Sequence, residues 1–318
     1  MKNIILFLFL IIPFLAGSQN KTTIMTHVLE NKNLEIRIDL PLTNYTFSRF
    51  DWTGKIVSVR YKNIEISGVE RINADDDDKC GKGFYNEFGI NTAIGYDETM
   101  EGDWFHKIGV GLLKKDDDDY LFSRAYEIQP AVFKVIKDPD KIIISCKSQE
   151  VNGYSYDLEK EIQLDENGFT IKYKLANTGK KNINTNEYDH NFIAVNKELT
   201  GGDYILKFPF YLKPDLFEEN VNSEGKVEIG QREITFNGTP NEQFFFSNLS
   251  GGVNVDATWE LINTKYKIGL SETGSFKTSK VNLWGWEHVI SPELFFEISV
   301  KPGEEIEWSR TYKLFEID

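Results

Sequence analysis

Histidine is the side chain best suited to acid–base chemistry near neutral pH, and one of the four histidines in this chain has a distinctive setting. His190 lies in the segment Asn186–Phe192, among polar and aromatic neighbours and at the start of an apolar run. A neutral imidazole titrates close to physiological pH, so it can donate or accept a proton without an extreme environment. His190 is therefore the first candidate for a catalytic residue, and the alternative is a structural histidine at a strand start.

Strands are the elements that must position this histidine, because apolar and polar residues alternate through much of the chain. Asp165–Gly168 predicts a hairpin turn, and no long amphipathic helix is indicated. The sequence therefore predicts an all-β fold, built as one large antiparallel β-sandwich. The segments that show the alternation are Leu34–Leu40, Lys55–Tyr61, Lys134–Ser148, Tyr156–Leu164, Phe169–Ala176, Tyr204–Phe210, Thr258–Leu270, Lys280–Trp284 and Glu307–Leu314.

The first residues indicate export. Met1–Asn3 is a short basic start, Ile4–Leu15 is almost wholly apolar, and Ala16–Ser18 offers the small residues of a cleavage site. The apolar run is too short to span a hydrocarbon core about 30 Å thick as a mature helix. We therefore expect residues 1–18 to be a signal peptide and residues 19–318 to form a single domain. The mature protein is expected to be periplasmic or secreted, with no membrane contact after cleavage.

The formal net charge of −14 bears on the choice of partner. Nucleic acids and anionic lipids are bound through concentrated Lys and Arg, whereas here acidic residues are in excess and well spread. Nucleic acid is therefore not an expected partner. Aromatic residues make up 14% of the chain, a share that suits both a β-rich core and surfaces that stack on sugars.

Two smaller features leave alternatives open. Cys80 and Cys146 are the only cysteines, and an oxidising compartment permits a disulfide between them. As a free thiol, Cys146 is equally well suited to a position in a buried strand.

Two aspartate runs, Asp75–Asp78 and Asp116–Asp119, lie between strands. Such runs are usually solvated loops, and calcium binding is the less favoured interpretation because a good site needs mixed ligands and a glycine-shaped loop.

Several short motifs, taken in order, resemble those of bacterial aldose 1-epimerase-like proteins, also called galactose mutarotase-like proteins. The resemblance spans most of the mature chain. The order of the motifs carries the inference, because each motif is short. The motifs are Phe47–Gly54, Asn86–Gly89, Phe105–Gly111, Tyr156–Leu164, Leu175–Gly179, Glu187–Phe192, Ile290–Glu293 and Pro302–Gly303.

The resemblance implies a large twisted β-sandwich with a sugar-binding cleft, which agrees with the strand pattern. Enzymes of this family interconvert the α and β anomers of free sugars. A carboxylate takes the proton from the anomeric hydroxyl and a histidine protonates the ring oxygen, so the ring opens and can reclose as the other anomer. No cofactor or metal is implied, since proton transfer alone forms the aldehyde. The implied partner is a mono- or oligosaccharide.

Carried onto this sequence, the resemblance assigns the acid to His190 and leaves two candidates for the base. Glu293 matches the pattern of a strand followed by a carboxylate. Glu287 has two tryptophan neighbours and lies at a more typical distance before Pro302–Gly303. The acid and the base are expected on the concave floor of a sheet, with a pyranose ring between them. Positioned groups of this kind contribute about 10²–10⁴-fold, and a difference between their pKa values would mark the site.

Four further residues are candidates for holding the sugar. Arg49 can offer a fork of donors to hydroxyls or pair with Glu87. Glu87 can accept from hydroxyls or remain in that ion pair, and Asn191 offers an amide beside His190. Trp284 can stack on the apolar face of a pyranose or pack in the core. The resemblance also implies a second histidine in the first third of the chain, and Arg49 is the candidate for that otherwise unassigned place.

Two other functions are compatible with the same scaffold. A non-catalytic carbohydrate-binding protein would bind sugars without exchanging their anomers. A polysaccharide-processing enzyme would need a Tyr or His base and a group that neutralises a uronate, for which Tyr188, His190 and Arg49 are available. The anomer-exchanging enzyme is the preferred interpretation because it gives both His190 and a late carboxylate a role.

Overall fold

Alternating apolar and polar residues build most of the chain into β-strands, as the sequence predicts. The structure, a computed structural model, describes residues 26–72, 79–91 and 93–318. The predicted signal peptide and the aspartate run Asp75–Asp78 therefore lie outside the described residues. In the described part of the chain, no helix has the length and apolar character needed to cross a membrane.

The strands range from 2 to 12 residues in length, and the two longest, Val289–Val300 and Glu305–Glu316, are the last two of the chain. Two 3₁₀ helices, Val195–Lys197 and Pro214–Leu216, lie on either side of the strand Tyr204–Lys207. The strands in chain order are β1 (Thr26–Glu30), β2 (Leu34–Asp39), β3 (Lys55–Tyr61), β4 (Ile64–Glu65), β5 (Phe84–Phe88), β6 (Trp104–Lys107), β7 (Gly111–Lys114), β8 (Ile128–Pro130), β9 (Val132–Lys137), β10 (Lys141–Lys147), β11 (Tyr156–Asp165), β12 (Gly168–Asn177), β13 (Ile183–Asn191), β14 (Tyr204–Lys207), β15 (Asn220–Val221), β16 (Val227–Ile229), β17 (Glu233–Phe236), β18 (Phe244–Phe246), β19 (Val255–Asn263), β20 (Ile268–Thr278), β21 (Val281–Trp286), β22 (Val289–Val300) and β23 (Glu305–Glu316).

Within the described residues the strands form two ten-stranded sheets and one three-stranded sheet, and the paired strands are antiparallel. The first sheet has the order β1-β2-β3-β5-β13-β22-β21-β18-β15, with β4 paired to β3. The second has the order β16-β17-β14-β19-β20-β23-β12-β11-β10-β9, and the third has the order β6-β7-β8. Because β13 lies between β5 and β22, residues far apart in the sequence meet around His190.

The two large sheets pack face to face through aromatic and aliphatic side chains. Phe84 of β5 contacts the rings of Phe169 and Tyr312 at centroid distances of 5.6 and 5.2 Å. Phe88 of the same strand contacts Tyr173 at 5.7 Å. All five rings are buried, and edge-to-face pairs at these distances are a favoured aromatic geometry. The predicted β-sandwich is confirmed.

Most of the predicted strands are confirmed, but two of the predicted segments are wrong in extent. β3 matches its predicted bounds, and β11 and β12 flank the hairpin turn predicted at Asp165–Gly168. Lys134–Ser148 and Thr258–Leu270, by contrast, each contain parts of two strands joined by a turn. The first turn includes Pro139, which cannot donate a ladder hydrogen bond. The second includes Lys267, whose φ of 54° lies outside the strand region.

The two cysteines do not form the disulfide that the sequence permits. Cys146 is buried in β10, and its Sγ lies 4.0 Å from the hydroxyl of Tyr156.

In the second aspartate run, Asp116–Asp119, the side chains of Asp116 and Asp117 pair with Arg124 at 3.1 and 3.0 Å on the surface. These two carboxylates therefore neutralise an arginine in an exposed loop.

Candidate active site

Strand β13 sends alternate side chains into two different environments, as the period of a strand requires. Tyr188 and His190 line an open cleft on one face of the first sheet. Glu187, Asp189 and Asn191 point into the sandwich interior and are fully buried. His190 lies near the end of β13 and not at a strand start, where the structural alternative placed it.

The cleft has a volume of about 650 Å³, within the range of roughly 300–1,000 Å³ that is usual for small-molecule sites. Its floor comes from the central strands of the first sheet, and its walls come from the loops before β3 and β5 and after β7. The residues that line it include Arg49, Glu70, Asn91, Phe122, Tyr188, His190, Gln243, Asn282, Trp284, Glu293 and Phe295.

His190 and Glu293 contact each other on this floor. Nε2 of His190 lies 3.5 Å from Oε1 of Glu293, and the side chains are 5% and 7% exposed. On the other side of the ring, Nδ1 of His190 lies 2.6 Å from Oγ of Ser291. Ser291 and Glu293 reach the same imidazole because residues two apart on β22 share one face of the sheet.

Burial sets the protonation of this pair. It raises the pKa of Glu293 to about 8, although Asn282 opposes the shift by donating to Oε2 at 3.3 Å. Burial, followed by the charge of Arg49, lowers the pKa of His190 well below its ordinary value. Near neutral pH the carboxyl group therefore carries the proton and the imidazole is neutral. This is the reverse of the roles expected from the resemblance, which makes the histidine the acid.

The geometry separates the two candidate glutamates. Glu287 is half-buried in the turn between β21 and β22, does not line the cleft, and its main-chain carbonyl accepts from the amide of Thr200 at 2.7 Å. Of the two, only Glu293 contacts His190. The physical reason is that Glu293 continues the strand face on which Ser291 lies, whereas Glu287 follows the end of β21.

One expectation about the pair is wrong. The resemblance places a pyranose ring between the acid and the base, but His190 and Glu293 are in contact and leave no space between them. Both side chains nevertheless line the cleft. A sugar in the cleft would therefore meet the two groups side by side, from the open side.

Arg49 and Glu87 belong to one buried network at the edge of the cleft. Nε of Arg49 donates to Glu87 at 3.2 Å, and Nη1 donates to Glu70 at 2.8 and 3.0 Å. Glu87 also accepts from Lys107 at 3.1 Å and from the hydroxyl of Tyr188 at 2.7 Å. Glu87 is fully buried and does not line the cleft, so it supports the site instead of contacting a sugar. Nη2 of Arg49 donates to no described residue, and Arg49 lines the cleft.

Of the remaining two sugar-binding candidates, Trp284 lines the cleft and Asn191 does not. Trp284 lines the cleft beside His190, with ring centroids 5.4 Å apart, and its Nε1 donates to Gln243 at 3.3 Å. Asn191 is fully buried on the opposite face of β13, where it donates to Glu272 at 3.0 Å. The assignment of Asn191 to sugar binding is therefore wrong, because adjacent strand residues point to opposite faces.

Three residues of the site were not among the sequence candidates for these roles. Ser291 contacts the imidazole, Asn282 contacts the carboxyl group of Glu293, and Glu70 pairs with Arg49. Strand periodicity could have found Ser291, which lies two residues before Glu293. Asn282 and Glu70 depend on strand pairing and loop packing that are non-local in the sequence. All four histidines are described, and only His190 lines the cleft.

No protein-family model matches the sequence, and no curated protein matches it either. Solved structures do match in fold. A putative aldose 1-epimerase from Escherichia coli K12 aligns with a TM-score of 0.59 at 9% identity, covering 92% of this chain and 99% of that chain. A galactose mutarotase related enzyme from Lactobacillus acidophilus aligns with a TM-score of 0.55 at 12% identity, covering 92% and 100%.

A third structure, a galactose mutarotase-like protein from Lactobacillus casei ATCC 334, has a TM-score of 0.55 at 13% identity and covers 92% of this chain and 100% of its own. These alignments extend over nearly the full length of each protein, so the resemblance carried by the short motifs is confirmed at the level of the fold. Identities this low carry no residue roles. The chain has the galactose mutarotase-like β-sandwich fold.

Proposed function

We propose that this protein is an exported aldose 1-epimerase-like enzyme that interconverts sugar anomers by acid–base catalysis. The observation that carries the proposal is the contact of 3.5 Å between His190 and Glu293 on the floor of an open cleft. The fold supports it, because similar structures are described as aldose 1-epimerase or galactose mutarotase-like proteins. Export is supported by the signal-like N-terminal sequence.

The resting protonation of the pair supplies both proton transfers. Glu293 starts with the proton and can give it to the ring oxygen of the sugar as the C1–O5 bond breaks. His190 starts neutral and can take the proton from the anomeric hydroxyl as its oxygen becomes the aldehyde carbonyl. After rotation about C1–C2, the same two transfers in reverse close the ring as the other anomer, and both side chains recover their starting states.

The surroundings suit these transfers. The positive charge of Arg49 opposes protonation of His190 in the resting state and so keeps it available as a base. Nη2 of Arg49, which donates to no described residue, can donate to a sugar hydroxyl. The ring of Trp284 offers an apolar surface beside the reacting groups, as sugar rings require.

The test is the rate at which fresh α-glucose and α-galactose equilibrate, followed by polarimetry or by NMR of the anomeric protons. The protein should accelerate the exchange, and H190A and E293Q should each reduce the enzymatic rate by about 10²–10⁴-fold. H27A is the matched control, since His27 lies on the edge strand β1 away from the cleft. Exchange at the spontaneous rate with the intact protein, or full activity in H190A, would rule out the proposal.

A non-catalytic carbohydrate-binding protein is the second candidate, and one observation favours it. His190 and Glu293 contact each other and are only 5% and 7% exposed, so little of either group faces a ligand. Calorimetric binding of sugars without any acceleration of anomer exchange would support this candidate over the enzyme.

A further inference from the structure

We propose that a second sugar subsite lies beside the cleft, and that the substrate is a neutral oligosaccharide whose reducing end lies at His190. This inference rests on the proposed function and specifies its substrate class. A free anomeric carbon is needed for anomer exchange, so only the reducing end of an oligosaccharide can lie at His190. The remaining sugar residues must then extend along a continuous surface away from it.

A second cavity provides that surface. It has a volume of about 350 Å³ and is lined by Asn91, Tyr96, Tyr120, Tyr154, Asn182 and Asn184, among others. Asn91 also lines the cleft, so the two cavities meet at this residue. Asn184 and His190 lie on the same face of β13, six residues apart, which corresponds to roughly 20 Å along a strand. That length accommodates several linked sugar rings.

The side chains around this cavity have the chemistry that recognises neutral sugars. An asparagine amide can donate and accept at once, which matches neighbouring hydroxyl groups. The amides of Asn91 and Asn182 are exposed and form no hydrogen bond with another described residue. Tyrosines combine an apolar ring with a polar tip, and Tyr96, Tyr120 and Tyr154 all line the cavity.

The charges at the cavity exclude an acidic ligand. Asp97 and Glu98 line it, and Glu98 pairs with Lys181 at the surface. No lysine or arginine is among the described residues that line this cavity. Asp97 has no cationic partner among the described residues, so a carboxylate or sulfate group would meet its negative charge, which favours a ligand that carries hydroxyl groups only.

A buried polar chain joins the two cavities. The hydroxyl of Tyr120 accepts from Nζ of Lys107 at 2.9 Å, and the same Nζ donates to Glu87 at 3.1 Å. Glu87 in turn accepts from Tyr188 of the cleft at 2.7 Å. Tyr120 also lines the second cavity, so this chain of contacts runs from one cavity to the other. Sugars in the two cavities would therefore contact opposite ends of one fixed network.

Calorimetry with sugars of two lengths tests the proposal. The probes are glucose and galactose, and the neutral tetrasaccharides maltotetraose, cellotetraose and β-1,4-galactotetraose. At least one tetrasaccharide should bind about tenfold or more tightly than its monosaccharide. The double variant N182A/N184A, at two exposed asparagines that line only the second cavity, should lose that gain while keeping the Kd for the monosaccharide. The matched control is Q231A, which removes an exposed amide that lines neither cavity.

Three other outcomes of these measurements would each overturn part or all of the proposal. Equal binding of monosaccharide and tetrasaccharides, or a gain that survives in N182A/N184A, would overturn the second subsite while anomer exchange still supports the enzyme. Tighter binding of tetragalacturonate than of every neutral tetrasaccharide would overturn the neutral substrate class. Failure of every sugar both to bind and to exchange would overturn the proposed function and the subsite together.

Discussion

Two buried arginines lie on opposite sides of β13, and they are surrounded in different ways. In the sandwich interior, Arg310 donates to Glu187 at 2.7 Å, to Asp189 at 2.6 Å and to Glu272 at 2.8 Å. Its Nη2 also donates to the carbonyl of Leu294 at 2.8 Å. Each nitrogen of this guanidinium therefore has a protein acceptor, and the residue is fully buried.

At the cleft, Arg49 has fewer partners. Its Nη1 pairs with Glu70 and its Nε with Glu87, and its Nη2 donates to no described residue. The comparison shows how the same side chain serves two purposes. Where every donor is satisfied internally, the arginine holds the two sheets together. Where a donor remains at the wall of a cleft, the arginine can bind a ligand and set the charge around the reacting groups.

The largest expected effect comes from removing the interior arginine. R310M leaves Glu187, Asp189 and Glu272 buried without their cation, which should reduce the free energy of unfolding by about 3–5 kcal/mol. R49M should cost less, about 1–3 kcal/mol, because the cleft lets water reach part of the site. Urea denaturation of both variants measures the difference. Equal losses would show that the two clusters do not differ as described.

The next effect concerns the dependence of stability on pH at the cleft. The pKa of Glu293 is raised from 4.5 to about 8 on folding, so between these values the folded state binds more protons than the unfolded state. Stability should therefore fall as pH rises through this window. E293Q should remove the contribution of Glu293 to this slope and stabilise the protein at pH 8, by on the order of a few kcal/mol.

E287Q is the matched control for this measurement, because Glu287 is a neighbouring glutamate that does not line the cleft. It should leave the slope unchanged. An unaltered slope in E293Q would mean that Glu293 ionises normally in the folded protein, and the assignment of Glu293 as the initial acid would fail.

The pH dependence of the exchange rate provides a second test of whether Glu293 carries a proton in the folded protein. Anomer exchange requires Glu293 to be protonated, so the rate should be level around neutral pH and fall with an apparent pKa of about 8. Each further pH unit should lower it about tenfold. Polarimetric rates, corrected for the spontaneous reaction at each pH, measure the profile. A rate that increases through pH 8 would indicate that ionised Glu293 acts first as the base.

The smallest expected effect comes from the hydroxyl that holds the imidazole. With the proton of Glu293 facing Nε2, the Nδ1–H of His190 donates to Ser291, and S291A removes this acceptor. Loss of one neutral hydrogen bond of about 1 kcal/mol should reduce the exchange rate several-fold. The ¹⁵N spectrum of His190 should also show a mixture of tautomers. S291T retains a hydroxyl and should keep the tautomer, whereas equal behaviour of both variants would remove Ser291 from this role.

Strand periodicity explains why most of the fold could be predicted from the sequence. Segments such as Lys55–Tyr61 alternate clearly and form strands with the predicted bounds. Alternation alone cannot place a turn inside a long apolar stretch, which is why Thr258–Leu270 was predicted as one strand instead of two. The turn there depends on the left-handed conformation of Lys267.

The candidate site was predictable only in part. His190 could be chosen because its chemistry is rare in this chain, but the choice between Glu293 and Glu287 depends on which strand face each residue occupies. The sequence did contain the signal against Asn191, since residues next to each other on a strand point in opposite directions. Pairings such as that of Arg49 with Glu70 join a loop to a distant segment, and no local pattern predicts them.

The two-sided character of β13 has a consequence for how this protein can change in evolution. A side-chain substitution in this strand affects one side of the first sheet at a time. A single inserted or deleted residue would instead turn over every side chain that follows it. His190 would then face Arg310, while Asp189 would be carried into the open groove. We therefore expect the number of residues between Ile183 and Asn191 to vary less among relatives than the identity of any one of them.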